Sequence, residues 1–314
     1  MDDDLLDSMT NKSFSFIEAP LYQGQKNRGV SLGPAFLRQA LTDQKFNFTS
    51  QVATGSQSKQ RINFKIYEEL SYLVEREVRR GQLPFIAGGD HSLSIGSIQG
   101  LLRYFDHLKV IWVDAHGDIN TKKTSQTGAF HGMPLAYLLG LEREEGELWM
   151  SHRLKPENLI YFGVRDLDAA EKEFLERYRI RYFTAQQIQS ESDDIIRFLS
   201  SHCMGAKVFF SIDADAFDPA LAPSTGVPVQ NGLSFQIVRE LVRRVSLSAQ
   251  VVGLEYVELN PQIFKEVGDV ERTAQIGIDL FSEVLNHKNR EGIFYGRDDR
   301  FSHSEGSDLL HTAF

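Results

Sequence analysis

The stretch Lys109-Val110-Ile111-Trp112-Val113-Asp114-Ala115-His116-Gly117-Asp118 passes from an uninterrupted apolar run straight into an acidic, histidine-bearing segment. A short run that is apolar on successive residues predicts a strand buried on both faces. The same signature predicts strands at Phe14–Glu18, Pro84–Ala87, Val110–Asp114, Leu159–Val164, Val208–Ile212 and Val251–Leu254, with a shorter one at Arg181–Phe183. Between them lie amphipathic helical patterns such as Ile62–Arg80, Ser92–Phe105, Ala169–Tyr178, Ser234–Val245 and Val270–Asn286. Strands alternating with helices predict an α/β fold of three layers, α/β/α, around a mainly parallel central sheet. No repeat, linker or composition break divides residues 1–314, so one domain is expected, with residues 1–10 and 288–314 peripheral.

Composition narrows the function. The 314 residues are 41% hydrophobic and 25% charged, enough apolar material for a sizeable core. Lys and Arg number 34 against 43 Asp and Glu, a net charge of −9, and no basic run occurs; nucleic acid is therefore not an expected partner. No apolar stretch approaches the ~18–20 residues that span a bilayer, so no membrane partner is expected either. Cys203 is the only cysteine, and the opening Met1-Asp2-Asp3-Asp4 is acidic, which together lead us to expect a cytoplasmic protein without intrachain disulfides. No Gly-x-Gly-x-x-Gly or Walker-type phosphate loop opens a helix, which removes the dinucleotide and nucleotide readings.

Chemistry is then sought at the carboxyl ends of strands, where open parallel sheets bind ligands. Three clusters fall there: Gly88-Gly89-Asp90-His91-Ser92, Asp114-Ala115-His116-Gly117-Asp118, and Asp213-Ala214-Asp215-Ala216-Phe217-Asp218-Pro219. The paired glycines suggest a sharp turn that leaves His91 at the strand mouth. Alternation in an extended chain would let Asp114, His116 and Asp118 share a face, and likewise Asp213 and Asp215. Asp218, before a proline, reads as a turn former. Two His and four Asp exceed what one catalytic divalent ion usually takes from a protein; two ions sharing carboxylates fit better, and four carboxylates offset their four charges. Oxygen-rich ligation with two imidazoles and no thiolate points to manganese or magnesium rather than zinc, leaning to manganese.

These residues resemble the ureohydrolases, the family of arginases, agmatinases and their relatives, and most of all a bacterial arginase. The resemblance extends from about Ala19 to about Leu285 as an ordered series. To the three clusters it adds Ile119-Asn120, His131-Gly132-Met133-Pro134-Leu135, Ala222-Pro223-Ser224-Thr225-Gly226-Val227-Pro228 and Gly253-Leu254-Glu255-Tyr256-Val257-Glu258-Leu259-Asn260-Pro261. It implies two Mn2+ per subunit, with His91 and Asp118 on one ion, His116 and Asp215 on the other, and Asp114 and Asp213 bridging. His131 would be the mobile proton-transfer histidine and Glu258 the carboxylate that pairs with a guanidinium. Ser92 would stand beside ligand His91. The implied reaction is attack of a metal-bridging hydroxide on the guanidinium carbon of L-arginine, giving L-ornithine and urea. A homo-oligomer, trimer or hexamer, is the family's usual assembly.

The substrate's far end separates members of the family. Asn120, Ser125 and Thr127 match positions that touch an α-carboxylate, and Asp168, assisted by Glu171, matches the acid facing an α-amino group. The run Gly24-Gln25-x-x-Arg28-Gly29-Val30-x-x-Gly33-Pro34 also reads like arginase. Departures lie at Ala129, where arginases usually carry Asn, at Val227 in place of a hydroxyl residue, and at Gln230-Asn231-Gly232 in place of a glycine pair. A lost buried polar contact is worth about 1–3 kcal/mol. The alternatives are agmatinase, another guanidino-compound hydrolase, or formimidoylglutamase, with the same metal site. A single-zinc deacetylase of the wider superfamily would need neither His91, Asp118 nor Asp215, and a non-catalytic relative would typically have lost ligands that are all present here.

Overall fold

The computed structural model of the chain describes residues 14–53, 62–144, 146 and 148–288. The ends expected to be peripheral, residues 1–10 and the tail beyond Lys288, fall outside the described residues. Eight strands, β1 Phe14–Ala19, β2 Phe48–Val52, β3 Pro84–Gly88, β4 Leu108–Val113, β5 Leu159–Val164, β6 Arg181–Thr184, β7 Lys207–Asp213 and β8 Gln250–Val257, form one sheet in the order β2-β1-β3-β8-β7-β4-β5-β6. Every pairing is parallel. The sequence reading missed β2 and ended β8 three residues early. Phe48-Thr49-Ser50-Gln51-Val52 sits at a sheet edge and carries polar, exposed positions, so it lacks the apolar signature of a buried strand.

Among the described residues eight α-helices cover the sheet: α1 Gly33–Asp43, α2 Phe64–Arg79, α3 Ser94–Leu102, α4 Pro134–Leu139, α5 Ala169–Arg177, α6 Ala185–His202, α7 Phe235–Ser248 and α8 Asp269–Lys288. Period-two alternation distributes the strand side chains to two cores. Ile111 and Val113 of β4 pack in one with α1, α6, α7 and α8, whereas Val110 and Trp112 pack in the other with α2 to α5. This is the physical origin of the uninterrupted apolar runs: a strand covered on both faces has no wet side. Polar signals appear where helices start. Asp168 with Glu171 opens α5, and Thr184 with Gln187 opens α6, each as a reciprocal capping box. No helix of the described residues is long and apolar enough to cross a membrane.

The chain order places the ligand-bearing ends together. β1 to β3 build one half of the sheet and β4 to β6 the other; β7 and β8 then fill the gap between β3 and β4. Four adjacent central strands, β3, β8, β7 and β4, therefore open onto one crevice at the point where the winding direction reverses.

On the first core face, Phe281 of α8 lies 4.7 Å from the Phe14 ring and 4.4 Å from the Phe85 ring, tying the last helix to β1 and β3. Phe281→Ala is expected to cost about 3–5 kcal/mol through lost burial and the residual cavity, measured as a lower denaturant midpoint at unchanged slope. A cost below ~1 kcal/mol would mean that α8 is not part of the cooperative core.

Candidate metal centre and active site

Each candidate ligand sits just beyond a central strand. His91 lies in the 3-10 turn His91–Leu93 after β3, capped by Asp90, whose Oδ1 accepts the Ser92 amide at 3.0 Å. Gly89 is required by closeness, since a Cβ there would come 1.8 Å from the Leu21 carbonyl. The chain bends at Gly89 directly after β3, as the glycine pair led us to expect, and it does so without positive φ at either glycine. Strand β4 ends at Val113, and Asp114, His116 and Asp118 converge through a loop rather than through extended alternation. Asp114 Oδ1 accepts the His116 amide at 2.7 Å, and Asp213 Oδ1 accepts the Asp215 amide at 2.7 Å. Each of these two aspartates closes its own turn with one oxygen and aims the other inward. Asp118 and Glu258 hold left-handed backbone, φ 48 and 63, a conformation that costs a non-glycine residue about 1–3 kcal/mol and gathers at functional sites.

All six predicted ligands come together. His91 Nδ1 stands 3.0 Å from Asp114 Oδ2, 3.1 Å from Asp118 Oδ2 and 3.1 Å from Asp213 Oδ2. His116 Nδ1 is 3.4 Å from Asp114 Oδ1 and 3.2 Å from Asp215 Oδ2. Two cation-sized groups result, His91 with Asp114 and Asp213, and His116 with Asp114 and Asp215; they share Asp114. Asp118 stands beside the first group, its Oδ2 3.1 Å from His91 Nδ1.

Electrostatics ask for a cation there. Burial, with Asp215 and Asp114 as neighbours, pushes Asp213 well above the usual carboxylate range. Burial and Asp114 likewise raise Asp118 and Asp215. Burial opposes an imidazolium at His91, but Asp114, Asp118 and Asp213 outweigh it and raise the imidazole well above its ordinary value. The carboxylates thus demand positive charge at Nδ1, a proton in the metal-free site or a metal ion in its place.

The ring of His91 is held so that Nδ1 can serve. Its Nε2 lies 2.8 Å from Ser211 Oγ, and the Ser211 hydroxyl donates to Glu255 Oε1 at 2.6 Å. Ser94 and Ser97 also donate to Glu255, so this fully buried carboxylate has three hydroxyl donors. With the Ser211 proton directed to Glu255, His91 Nε2–H is the donor to Ser211, and Nδ1 is turned toward Asp114, Asp118 and Asp213, where it can carry a proton or offer its lone pair to a cation. Trp112 Nε1 donates to Asp114 Oδ2 at 2.9 Å, and its indole stacks on His91 at 4.0 Å and 6°. Ser92 does not play the part expected of it. Its hydroxyl contacts Asp90 and the Tyr67 hydroxyl, not the His91 ring.

A cavity of about 530 Å³ opens over the cluster, with Asp118, His116, Asp213 and Asp215 in its wall. His91 and Asp114 lie beneath, fully buried. The same cavity receives the predicted substrate residues Asn120, Ser125, Thr127, Asp168 and Glu171, the pair His131 and Glu258, and the departures Ala129 and Val227. Asn120 Nδ2 donates to Asp168 Oδ2 at 2.8 Å and Thr124 donates to Asn120 Oδ1 at 2.9 Å, which leaves one Asn120 N–H free. The Ser125 and Thr127 hydroxyl oxygens accept the Gly128 and Ala129 amides at 3.0 and 3.1 Å, leaving their protons to donate. Burial, then the Asp118 and Asp168 charges, push Glu171 up to about 8.

His131 Nδ1 lies 3.4 Å from Glu258 Oε1. Burial works against its protonated form, but Glu258, with Asp118 and Asp90, lifts the imidazole to about 9 in the metal-free site. Glu258 is itself fixed by the His91 amide at 2.9 Å and by the Gln25 side-chain amide.

Gln25, Trp112, Ser211 and Glu255 had no role in the sequence reading. The signal was available for three of them: Trp112, Ser211 and Glu255 face one another in adjacent register across β4, β7 and β8, and Trp112 and Ser211 each precede a candidate ligand by two residues.

Comparison with known proteins agrees with this geometry. The family model described as "Arginase family" matches residues 12–286. The arginase of Bacillus caldovelox is 32% identical over 306 residues, covering 88% of this chain and 99% of its own. The crystal structure of arginase from Bacillus subtilis superposes with a TM-score of 0.78 at 31% identity, covering 87% of this chain and 98% of that one. The arginase of Entamoeba histolytica in complex with L-ornithine gives a TM-score of 0.79 at 27% identity, covering 88% and 99%.

If Ser211 and Glu255 set the His91 tautomer, Glu255→Gln should weaken binding of manganese about 10–100-fold, read by titrating the metal-free protein. An affinity within twofold of wild type would remove that role from Glu255.

Proposed function

The chain belongs to the arginase family, and on that premise we propose that it is an arginase, hydrolysing L-arginine to L-ornithine and urea at a dimanganese centre. One observation carries the choice of arginine. The cavity that receives the acidic cluster also holds Asp168, Asn120, Ser125 and Thr127, an acid beside free N–H and O–H donors, complementary to an α-amino group and an α-carboxylate. Agmatine keeps the amine but lacks the carboxylate, so the free N–H and O–H donors of Asn120, Ser125 and Thr127 are what separate the two substrates.

His91, Asp114 and Asp213, with Asp118, would hold one ion, and His116, Asp114 and Asp215 the other, with Asp213 as a second bridge. When bound, the two ions would supply Lewis acidity and a water acidic enough to act as nucleophile near neutral pH. The remaining work falls to the chain. Glu258, fixed by the His91 amide and Gln25, pairs with the planar guanidinium and orients its carbon toward the cluster. Asp118 reaches both the cluster and the cavity, and can accept a hydrogen bond from the attacking water. His131, partly exposed and with Nδ1 3.4 Å from Glu258, which favours its protonated form, can hand a proton to the departing amine. Asp168 faces the α-amino group, while Asn120, Ser125 and Thr127 donate to the α-carboxylate. With alanine at 129, that carboxylate is left to these three donors.

The expected outcome with manganese-loaded protein is urea from L-arginine with a kcat/KM at least about 100-fold above that for agmatine, as a site built to bond the missing carboxylate predicts. Urea from agmatine alone would assign the same centre to an agmatinase. No urea from either would direct attention to other guanidino and formimidoyl substrates. Asp168→Asn keeps the helix cap of α5 and removes the charge; it should raise KM for arginine about 10–100-fold, the worth of a hydrogen bond to a charged group, with kcat changed far less. Saturating manganese at 100 times its Kd should stabilise the protein by about 2.7 kcal/mol. Asp213→Asn should abolish that thermal shift without lowering the melting temperature of the metal-free form, because it removes one of the mutually repelling carboxylates.

A further inference from the structure

We propose that Arg165 is a positioning residue that holds the two ligand loops of the metal centre and one wall of the substrate cavity in mutual register. The proposal rests on the dimetal reading above.

Strand β5 slips register against β6 between Phe162 and Val164, at Gly163, whose φ is 113. Such a bulge re-aims the residues that follow it. Beyond it, the Arg165 and Asp166 amides donate to the carbonyl of Ala115, the residue between ligands Asp114 and His116, at 2.8 and 3.0 Å. The Arg165 side chain reaches the other way, toward the turn after β7. Nη2 donates to the Asp215 carbonyl at 2.7 Å and the Val229 carbonyl at 2.8 Å, Nη1 to the Ala216 carbonyl at 3.1 Å, and Nε to the Gln230 carbonyl at 3.2 Å. Longer bonds reach Gly163 and Phe217.

Among the described residues the guanidinium forms no salt bridge with a carboxylate; its donors go to main-chain carbonyls. A planar fork with five N–H donors can satisfy several carbonyls of two loops at once, as a lysine ammonium cannot. The carbonyls chosen are informative. Asp215 carries a ligand carboxylate, and Val229 and Gln230 continue the segment whose Val227 lines the cavity. Backbone on one side and side chain on the other, this one residue joins the β4 ligand loop, the β7 ligand turn and the cavity wall. A shift in either loop would separate Asp114 and Asp215, which share the second ion group with His116.

The experiment compares wild type with Arg165→Lys and Arg165→Ala; both leave the main-chain bonds to Ala115 intact, and the lysine variant guards against simple failure to fold. Two readouts are taken. Amide hydrogen exchange of the metal-free proteins should be faster in both variants at residues 214–217 and 228–232 and unchanged in β1 and α2. Manganese titration should show affinity weakened about 10–100-fold in Arg165→Ala and less in Arg165→Lys, with KM for arginine raised more than kcat is lowered at saturating metal. Added guanidinium ion at millimolar concentration should recover part of the affinity in Arg165→Ala. Unchanged exchange at both segments would overturn the proposal. So would faster exchange with manganese affinity within twofold of wild type, which is what a merely structural residue would give. Wild-type protein that binds no manganese would overturn the dimetal reading itself, and this inference with it.

Discussion

Carboxylates crowded into a dry pocket repel one another, and everything near the strand ends of this protein is arranged around that repulsion. Asp114, Asp118, Asp213 and Asp215 lie within reach of two imidazoles, at or nearly out of contact with solvent. Left alone, such a cluster takes up protons, as the raised carboxylates and imidazoles show. A multivalent cation satisfies it more directly. The chain supports this strained arrangement with neutral partners: the Trp112 indole and the amides of His116 and Asp215 donate to the carboxylates, and the Ser211 hydroxyl accepts from His91. None of them adds charge, so the demand for a cation persists while the geometry is fixed.

The architecture makes the crowding possible. A parallel sheet covered on both faces aligns its carboxyl ends, and the order β3-β8-β7-β4 brings four of them side by side at its centre. The two apolar layers beneath are continuous, so the strands cannot slip by one residue without exchanging Val110 and Trp112 for Ile111 and Val113. Register is therefore secured by the cores, and the polar row Trp112, Ser211 and Glu255 inherits it. The strain at Asp118 and Glu258 is borne by this rigid base.

The parts of this design that could be read from the sequence share one trait: they are local. Apolar runs marked seven strands, and the acidic motifs directly after three of them marked the six candidate ligands, because side-chain type and spacing along one segment carried the information. The overlooked parts depend on partners far away in the chain. Strand β2 is an exposed edge whose Thr49-Ser50-Gln51 carries no apolar signal. Glu255 made β8 look shorter than it is, since its burial depends on serines from β7 and α3. Ser92, adjacent to His91 in sequence, looked like its support, yet the register of β7 supplies Ser211 instead. Arg165 left no trace, for carbonyl acceptors have no residue type.

The gap-filling topology also bears on how the protein comes to exist. β7 and β8 are the last of the described strands, yet they occupy the middle of the sheet, between the halves built by β1 to β3 and β4 to β6. Until they insert, His91 and Asp114 stand apart with two strand positions empty between them, and neither half owns a complete ligand set. Such long-range closure is slow, because loop entropy is lost before contacts compensate for it. A metal centre that takes residues from the ends of β3, β4 and β7 at once would therefore be a checkpoint on topology: its cation could be captured only by a chain whose sheet has closed, and capture would then hold the two halves together.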